Sequence, residues 1–241
     1  MSPVGGLGPL DVRVARKRLV NASGQTLEVL SDFVFRLESG QVGALIGPSG
    51  CGKSTALRII AGLDQQFEGK VMRPTGTLSI AFQEPRLLPW RTVEDNIRLA
   101  APQVGEGELE SLMTALDIAA HRKHFPGELS LGLARRVSLA RAFAIKSTLL
   151  LLDEPFVSLD APLALTLQNL RATLVADRTV TTVLVTHDVG EAIRLADRNF
   201  VLSPRPARVI GEIEVEGPRA AMSAAEARSL AGRVEAMRLP A

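Results

Sequence analysis

The sequence predicts an α/β fold with a parallel sheet, an antiparallel hairpin at its start and a helical insertion in the middle. Two observations support this prediction. Short apolar runs typical of buried strands, such as LLLLD at 149–153, alternate with helical patterns along most of the chain. Between about residues 85 and 146 the strand signals stop, and three helical patterns follow one another.

In the N-terminal half, the hairpin precedes a strand–helix–strand unit. β-Branched and apolar residues flank Asn21–Gly24, a stretch that favours a turn. The predicted elements are strands at 10–20, 26–37, 41–46 and 78–82, and a helix at 55–63 that ends at Gly62 and Asp64. The glycine-rich stretch GPSGCGKST lies between the third strand and this helix.

The insertion and the C-terminal half complete the pattern. Thr92 and Asp95 have the spacing of a capping box at the first helix of the insertion. The three predicted helices are TVEDNIRLA, GELESLMTALDIA and SLGLARRVSLARAFA. Beyond them, strands are predicted at LLLLD, TVTTVLVTHD, NFVLS and RVIGEIEV, with the helix VGEAIRLAD among them. Leu230, Val234 and Met237 fall on one face of a final helix, which we expect to be docked or frayed.

Composition limits the class of protein. The 241 residues are 46% hydrophobic and 22% charged, which is typical of a globular chain with a sizeable core. The net charge of +2 comes from scattered basic residues, so nucleic acid is not an expected partner. Cys51 is the single cysteine, which excludes an intrachain disulfide. Because no window approaches 18 apolar residues, we expect no membrane-spanning helix.

The stretch Gly47–Ser54 fits the pattern G-x-x-x-x-G-K-[ST], and we call it the phosphate loop. In this pattern the glycines let backbone N–H groups wrap phosphates, so Lys53 is expected to reach the β- and γ-phosphates and Ser54 to ligate Mg²⁺. The alternative is a flexible glycine turn, which the strand before it and the helix after it disfavour. The residues predicted to bind the nucleotide are Gly47, Pro48, Ser49, Gly50, Cys51, Gly52, Lys53, Ser54 and Thr55.

Two carboxylates end the buried strand LLLLD. In enzymes with a phosphate loop, an aspartate in the place of Asp153 steadies the Mg²⁺ shell. Glu154 beside it can accept a proton from an attacking water. Taken alone, the pair would fit a solvated strand end, but together with the phosphate loop it favours catalysis.

Six motifs in order resemble the nucleotide-binding subunit of ATP-binding cassette (ABC) transporters over nearly the whole chain. They are GPSGCGKST at 47, FQE with Gln83, LSLGLARR at 129, LLLLDEP, SLD at 158–160 and THD with His187. The resemblance implies a P-loop NTPase (RecA-like) core with an N-terminal antiparallel β-subdomain and a helical subdomain at about 85–146. It also implies a single domain over residues 1–241, with no regulatory domain after Gly217-Pro218.

The resemblance implies a role for each matching residue. Glu154 is expected to be the general base, His187 to hold the γ-phosphate and orient the water, and Gln83 to contact Mg²⁺ or that water. Asp160 is expected to cross a dimer interface. The implied metal ligands are Ser54, Gln83 and Asp153. Each residue alone would fit an ordinary polar position, and only the joint order of the motifs favours these roles.

Two stretches depart from the family pattern. Where the family has L-S-G-G-Q, residues Leu129–Leu133 read LSLGL, and we call them the signature tip. Ser130 and Gly132 remain and are expected to meet the γ-phosphate held by a partner subunit, whereas Leu131 removes any access to positive φ. Residues 11–31 contain no aromatic residue, so we expect Leu19 or Val20 to contact adenine and base preference to be weak.

The segment from Gln83 to Thr92 contains LPW and resembles the importers of nitrate, sulfonates, taurine or thiamine precursors. Trp90 is interpreted either as an anchor for a partner protein or as a residue packed over its own helical lobe.

The predicted protein is an ATP-hydrolysing subunit at the cytoplasmic face of the membrane, which powers solute uptake through separate permease subunits. It would act as a homodimer or heterodimer together with a periplasmic or extracellular solute-binding protein. One alternative is a subunit with a degenerate signature that binds ATP but needs a second ATPase subunit. A soluble ABC ATPase that works on DNA or ribosomes would usually need two cassettes or a coiled-coil insertion, which 241 residues do not hold.

Overall fold

A computed structural model describes residues 8–20, 23–155, 180–215 and 222–238. In chain order, the helices and strands are β1 (Leu10–Val20), β2 (Thr26–Leu37), β3 (Val42–Ile46), α1 (Lys53–Ile60), β4 (Glu68–Met72), β5 (Leu78–Ala81), α2 (Val93–Ala100), α3 (Glu106–Ala115), α4 (Leu131–Ala144), β6 (Leu149–Asp153), β7 (Thr181–Thr186), α5 (Val189–Leu195), β8 (Arg198–Leu202), β9 (Val209–Glu214) and α6 (Ala224–Arg238). The chain divides into two compact units, residues 1–75 with 181–241 and residues 76–180.

An antiparallel sheet in the order β2-β1-β4 opens the first unit. The predicted hairpin is confirmed as β1 and β2, whereas β4 was not predicted. β4 is mostly exposed and lacks an apolar alternation, so its sequence carries no strand signal. Gly69 lets it approach β1 closely, because a Cβ built there would lie 2.1 Å from the carbonyl oxygen of Arg13.

Parallel strands form the core of the first unit. β7 and β8 pair in parallel with β3 on either side, and β9 adds an antiparallel edge next to β8. Every residue of β3 and β7 is buried, as expected for strands covered on both faces. Ile46 lies opposite Thr186 and Val201, so the segments that follow these three strands leave the same edge.

Helices cover this sheet. α1 packs against β7 and begins at Lys53 rather than at the predicted Thr55, which places Lys53 in the first helical turn. α6 packs against β9 and α5 and buries Val234 completely, so the final helix is docked. Among the described residues, no helix combines the length and apolar character that crossing a membrane requires.

The second unit joins a short parallel pair to the helical insertion. β5 and β6 pair in parallel, with Ala81 opposite Leu152, and all of β6 is buried. The three predicted helices of the insertion are confirmed as α2, α3 and α4, and α2 and α4 pack together. The hydroxyl of Thr92 accepts from the N–H of Asp95 at 3.2 Å, which caps α2 as its sequence predicts.

Glu94 in the first turn of α2 is the centre of an ion-pair cluster. Its carboxylate accepts hydrogen bonds from Arg98 at 2.8 Å, Arg122 at 2.7 Å and Lys123 at 2.7 Å, although the Glu94 side chain is only 10% exposed. The N–H of Glu94 donates to the carbonyl oxygen of Arg122, so side chain and backbone both tie the loop at 119–125 to α2. Hydrogen bonds from Arg122 first, then Lys123 and Arg98, hold the pKa of the Glu94 carboxyl well below its usual range.

We expect Glu94→Gln to lower the free energy of unfolding by about 2 kcal/mol, because a buried carboxylate loses its charge among three cations. Since the folded-state pKa is lowered, the contribution is complete above the unfolded value of about 4.3 and is lost as pH falls through the folded-state pKa. Urea unfolding at several pH values measures the difference between variant and parent. Glu110→Gln is the control, because Glu110 contacts Arg122 from an exposed position. An equal loss in both variants would contradict the central role of Glu94.

Candidate functional site

The phosphate loop connects β3 to α1 in the first unit. Lys53 is buried at the first position of α1, and its Nζ donates to the carbonyl oxygens of Gly47 at 2.8 Å and Pro48 at 2.9 Å. The loop therefore curls around the ammonium group. The N-terminal end of α1 adds the partial positive charge of a helix dipole at the same place, which favours an anion.

Two glycines give the phosphate loop its shape. Gly52 has φ of 133°, and a Cβ there would lie 3.0 Å from the carbonyl oxygen of Val29 in β2. Gly50, at the outer turn of the loop, has φ of 74°. Because residues with a side chain are strained at these angles, the loop requires glycine at both positions.

Cys51 contributes no charge to the loop. Its side chain is buried, and burial raises the pKa of the thiol despite the opposing influence of Lys53. A neutral thiol beside an anion site avoids the repulsion that a thiolate would exert.

A loop between β8 and β9 touches the phosphate loop, and we call residues Ser203–Arg208 the arginine loop. Its Ala207 pairs with β2, because the N–H of Ala207 donates to the carbonyl oxygen of Val29 at 2.8 Å. Arg205 donates from its guanidinium to the carbonyl oxygen of Gly50. No motif pointed to Arg205, and its only signal in the sequence is an arginine between two prolines.

His187 follows β7 at the edge of the sheet where the phosphate loop begins. Thr186 lies opposite Ile46, so the residues after them leave neighbouring parallel strands. The hydroxyl of Thr186 accepts from the N–H of Asp188 at 3.0 Å, and Asp188 caps α5. This turn leaves His187 exposed. The first unit thus brings His187 and the phosphate loop to one edge.

Asp153 and Glu154 end β6 in the second unit. Asp153 is 6% exposed, whereas Glu154 is partly exposed and has φ of 47°, an unfavourable angle for a residue with a side chain. The amide nitrogen of Gln83 donates to a carboxylate oxygen of Glu154 at 3.3 Å. The second unit therefore brings two predicted catalytic residues, Gln83 and Glu154, into contact.

The signature tip is the N-terminus of α4. The hydroxyl of Ser130 accepts from the N–H of Leu133 at 3.2 Å and caps the helix. Leu131 is helical and 59% exposed, so the leucine causes none of the positive-φ strain that the sequence suggested. Among the residues that the structure describes, a Cβ at Gly132 would meet only the Ser130 hydroxyl, at 3.8 Å. Asp160 lies outside the described residues.

The segment after Gln83 is held by the helices of the insertion. Arg141 of α4 donates to the carbonyl oxygens of Pro85 at 2.9 Å and Arg86 at 3.0 Å. The side chain of Asn96 in α2 accepts from the N–H of Leu88 at 2.8 Å. Between these contacts Trp90 is 69% exposed, so the interpretation that packs it over its own lobe is wrong.

The residues predicted to meet adenine lie at the end of β1. Leu19 and Val20 are 43% and 70% exposed, and Leu19 is paired with Leu27 of β2. The strand end therefore offers an apolar surface, and contact with a base stays a prediction.

A family model described as ABC transporter matches residues 30–157. The chain belongs to the ABC transporter family. Members named aliphatic sulfonates import ATP-binding protein SsuB 2 are similar to it. The protein of Burkholderia cenocepacia is 39% identical to this chain, and the match covers 90% of this chain and 83% of the relative. The protein of Pseudomonas syringae pv. tomato is 42% identical, and the match covers 86% of this chain and 87% of the relative. The SsuB of Bacillus licheniformis is 39% identical, and the match covers 87% of this chain and 86% of the relative.

Solved ABC structures share the fold. The dimeric structure of MJ0796, a bacterial ABC transporter cassette, has a TM-score of 0.75 and 26% identity, and it covers 87% of this chain and 100% of that one. The post-hydrolysis structure of MJ0796 bound to ADP and Pi has the same TM-score and coverage at 25% identity. These similarities confirm the predicted family, its α/β fold and the prediction of an ATP-hydrolysing subunit of an ABC import system.

Proposed function

We propose that this chain hydrolyses ATP to drive the import of aliphatic sulfonates through separate membrane permease subunits. The observation that carries the proposal is the similarity to relatives named for aliphatic sulfonate import, which extends over most of both chains. The LPW segment around Trp90 supports the same branch of importers.

In the proposed reaction, the phosphate loop holds the triphosphate. The amides of the loop and the N-terminus of α1 bind the β-phosphate, and Lys53 neutralises the β- and γ-phosphates. Glu154 takes a proton from water as the water oxygen attacks the γ-phosphorus, and the bond to the β–γ bridging oxygen breaks. His187 contacts the γ-phosphate and orients the water. ADP and inorganic phosphate are the products.

Mg²⁺ is the cofactor that this reaction needs. The assigned ligands Ser54, Gln83 and Asp153 offer hydroxyl, amide and carboxylate oxygens, the donor types that Mg²⁺ prefers. Ser54 is exposed in the first turn of α1, and Asp153 ends the buried strand β6. When bound, the ion neutralises charge that develops on the phosphate oxygens.

Two cassettes are proposed to share each ATP. The signature tip of one subunit, with Ser130 and Gly132, would meet the γ-phosphate held by the other, and Asp160 would cross between them. The segment from Gln83 to Thr92 would transmit the closure of the two cassettes to the permease at the cytoplasmic face. A periplasmic or extracellular solute-binding protein would deliver the sulfonate.

The roles of Lys53 and Glu154 have separable consequences. We expect Lys53→Ala to abolish calorimetric binding of MgATP, since the main cation for the phosphates is lost. Glu154→Gln should still bind MgATP but lower turnover about 100-fold or more, because the proton acceptor is gone. The matched control is Glu108→Gln, because Glu108 is exposed on α3 and belongs to no predicted motif, so this variant should keep the activity of the parent. Turnover by Glu154→Gln equal to the parent's would refute the assignment of the base.

The altered signature is the sequence feature behind the second candidate, a subunit that binds ATP but relies on another ATPase subunit. The double variant Leu131→Gly with Leu133→Gln discriminates between the two. Because Leu131 has a helical backbone conformation and does not strain the signature tip, we expect the double variant to change the ATPase rate of the purified homodimer less than about threefold. A large gain in ATPase rate would favour the dependent subunit instead.

The proposed solute can be tested in the organism that encodes the chain. We expect deletion of its gene to stop growth on an alkanesulfonate as sole sulfur source while growth on sulfate continues. Complementation with the parent should restore growth, and complementation with Lys53→Ala should not. Unimpaired uptake of labelled alkanesulfonate by the deletion strain would reject a sulfonate as the solute.

A further inference from the structure

The arginine loop meets the phosphate loop at its outermost turn. The guanidinium of Arg205 donates to the carbonyl oxygen of Gly50, and a Cβ at Gly50 would lie 3.7 Å from the nearest nitrogen of that guanidinium. Gly50 has φ of 74°, and glycine adopts either sign of φ with little cost. Because Gly50 has no side chain, its ψ is little restricted as well, so Gly50 itself does little to fix the direction of the peptide that joins it to Cys51.

The arginine loop is itself firmly anchored. Its Ala207 exchanges backbone hydrogen bonds with β2, donating to Val29 at 2.8 Å and accepting from Ser31 at 3.1 Å. Ser203 closes the loop, because its N–H donates to the carbonyl oxygen of Arg208 at 3.0 Å and its hydroxyl accepts from the N–H of Arg208 at 3.1 Å. Arg205 is thus presented from a fixed backbone rather than from a long free loop.

The direction of the Gly50 carbonyl decides the direction of the next amide. In a planar trans peptide, the C=O of one residue and the N–H of the next point in opposite directions. With the Gly50 oxygen held by Arg205, the N–H of Cys51 turns into the loop, where it donates to the carbonyl oxygen of Pro48 across an N···O distance of 3.3 Å. A flipped peptide would instead turn the Gly50 oxygen into the loop, where it would repel a phosphate.

We propose that Arg205 is a positioning residue for the nucleotide, which holds the Gly50–Cys51 peptide in the orientation that receives phosphate. It acts through the backbone and not by contact with ATP. The proposal rests on the proposed role of the phosphate loop in binding the triphosphate. Its consequence is that affinity for MgATP depends on a side chain about 155 positions away in the sequence from Gly50.

Arg205→Ala, Arg205→Lys and Arg208→Ala test this inference. Arg208 is exposed in the same loop, so its replacement removes the same charge from the same region. We expect Arg205→Ala to raise the calorimetric Kd for MgATP about tenfold, since one hydrogen bond from a charged donor is lost. KM should rise in parallel while kcat stays within about twofold, because the contact is equal in the ground and transition states. The unfolding temperature without nucleotide should not change.

The other variants separate positioning from charge and from folding. Arg205→Lys should restore most of the affinity, since an ammonium can also donate to the carbonyl, and Arg208→Ala should bind as the parent does. The proposal is overturned by an unchanged Kd in Arg205→Ala, by an equal loss in Arg208→Ala, or by a lysine variant no better than alanine. Lys53→Ala, measured alongside, should lose MgATP binding altogether, whereas Arg205→Ala should only weaken it. If the parent itself shows no MgATP binding, the proposed role of the phosphate loop is wrong and this inference falls with it.

Discussion

The phosphate loop depends on close backbone approaches that leave no room for side chains. A Cβ at Gly47 would lie 3.0 Å from the Cβ of Leu202 at the end of β8, and a Cβ at Gly52 would be equally close to the Val29 carbonyl oxygen. The loop is thus in close contact with β8 of one sheet and with β2 of the other. α1 begins directly after Gly52, and its first residue, Lys53, donates from its ammonium group to two carbonyl oxygens of the same loop.

Strand ends organise the remaining polar groups in both units. Parallel pairing brings the ends of neighbouring strands to one edge, and open α/β sheets bind ligands there. In the first unit such an edge carries His187 and the phosphate loop. In the second unit the ends of β5 and β6 carry Gln83 and Glu154. The positive φ of Glu154 persists because a rigid buried strand precedes it, and such strained residues concentrate at functional sites.

Much of this arrangement could be predicted from the sequence, because apolar periodicity and glycine spacing are local signals. β3, β6, β7 and the helices of the insertion follow from such patterns. β4 could not be predicted, since an exposed edge strand with Gly69 owes its existence to pairing with β1. The contact of Arg205 with Gly50 and the 3.3 Å contact of Gln83 with Glu154 join residues far apart in the chain, and only the folded backbone brings them together.

Trp90 gives the protein an optical property of its own. It is the only tryptophan in a chain that has no tyrosine, and it lies 69% exposed on a segment pinned by Asn96. Ultraviolet-excited emission therefore originates from one point on the helical insertion. The wavelength of maximum indole emission depends on the polarity around the ring. Any molecule that covers this surface would therefore shift the fluorescence maximum of the unlabelled protein.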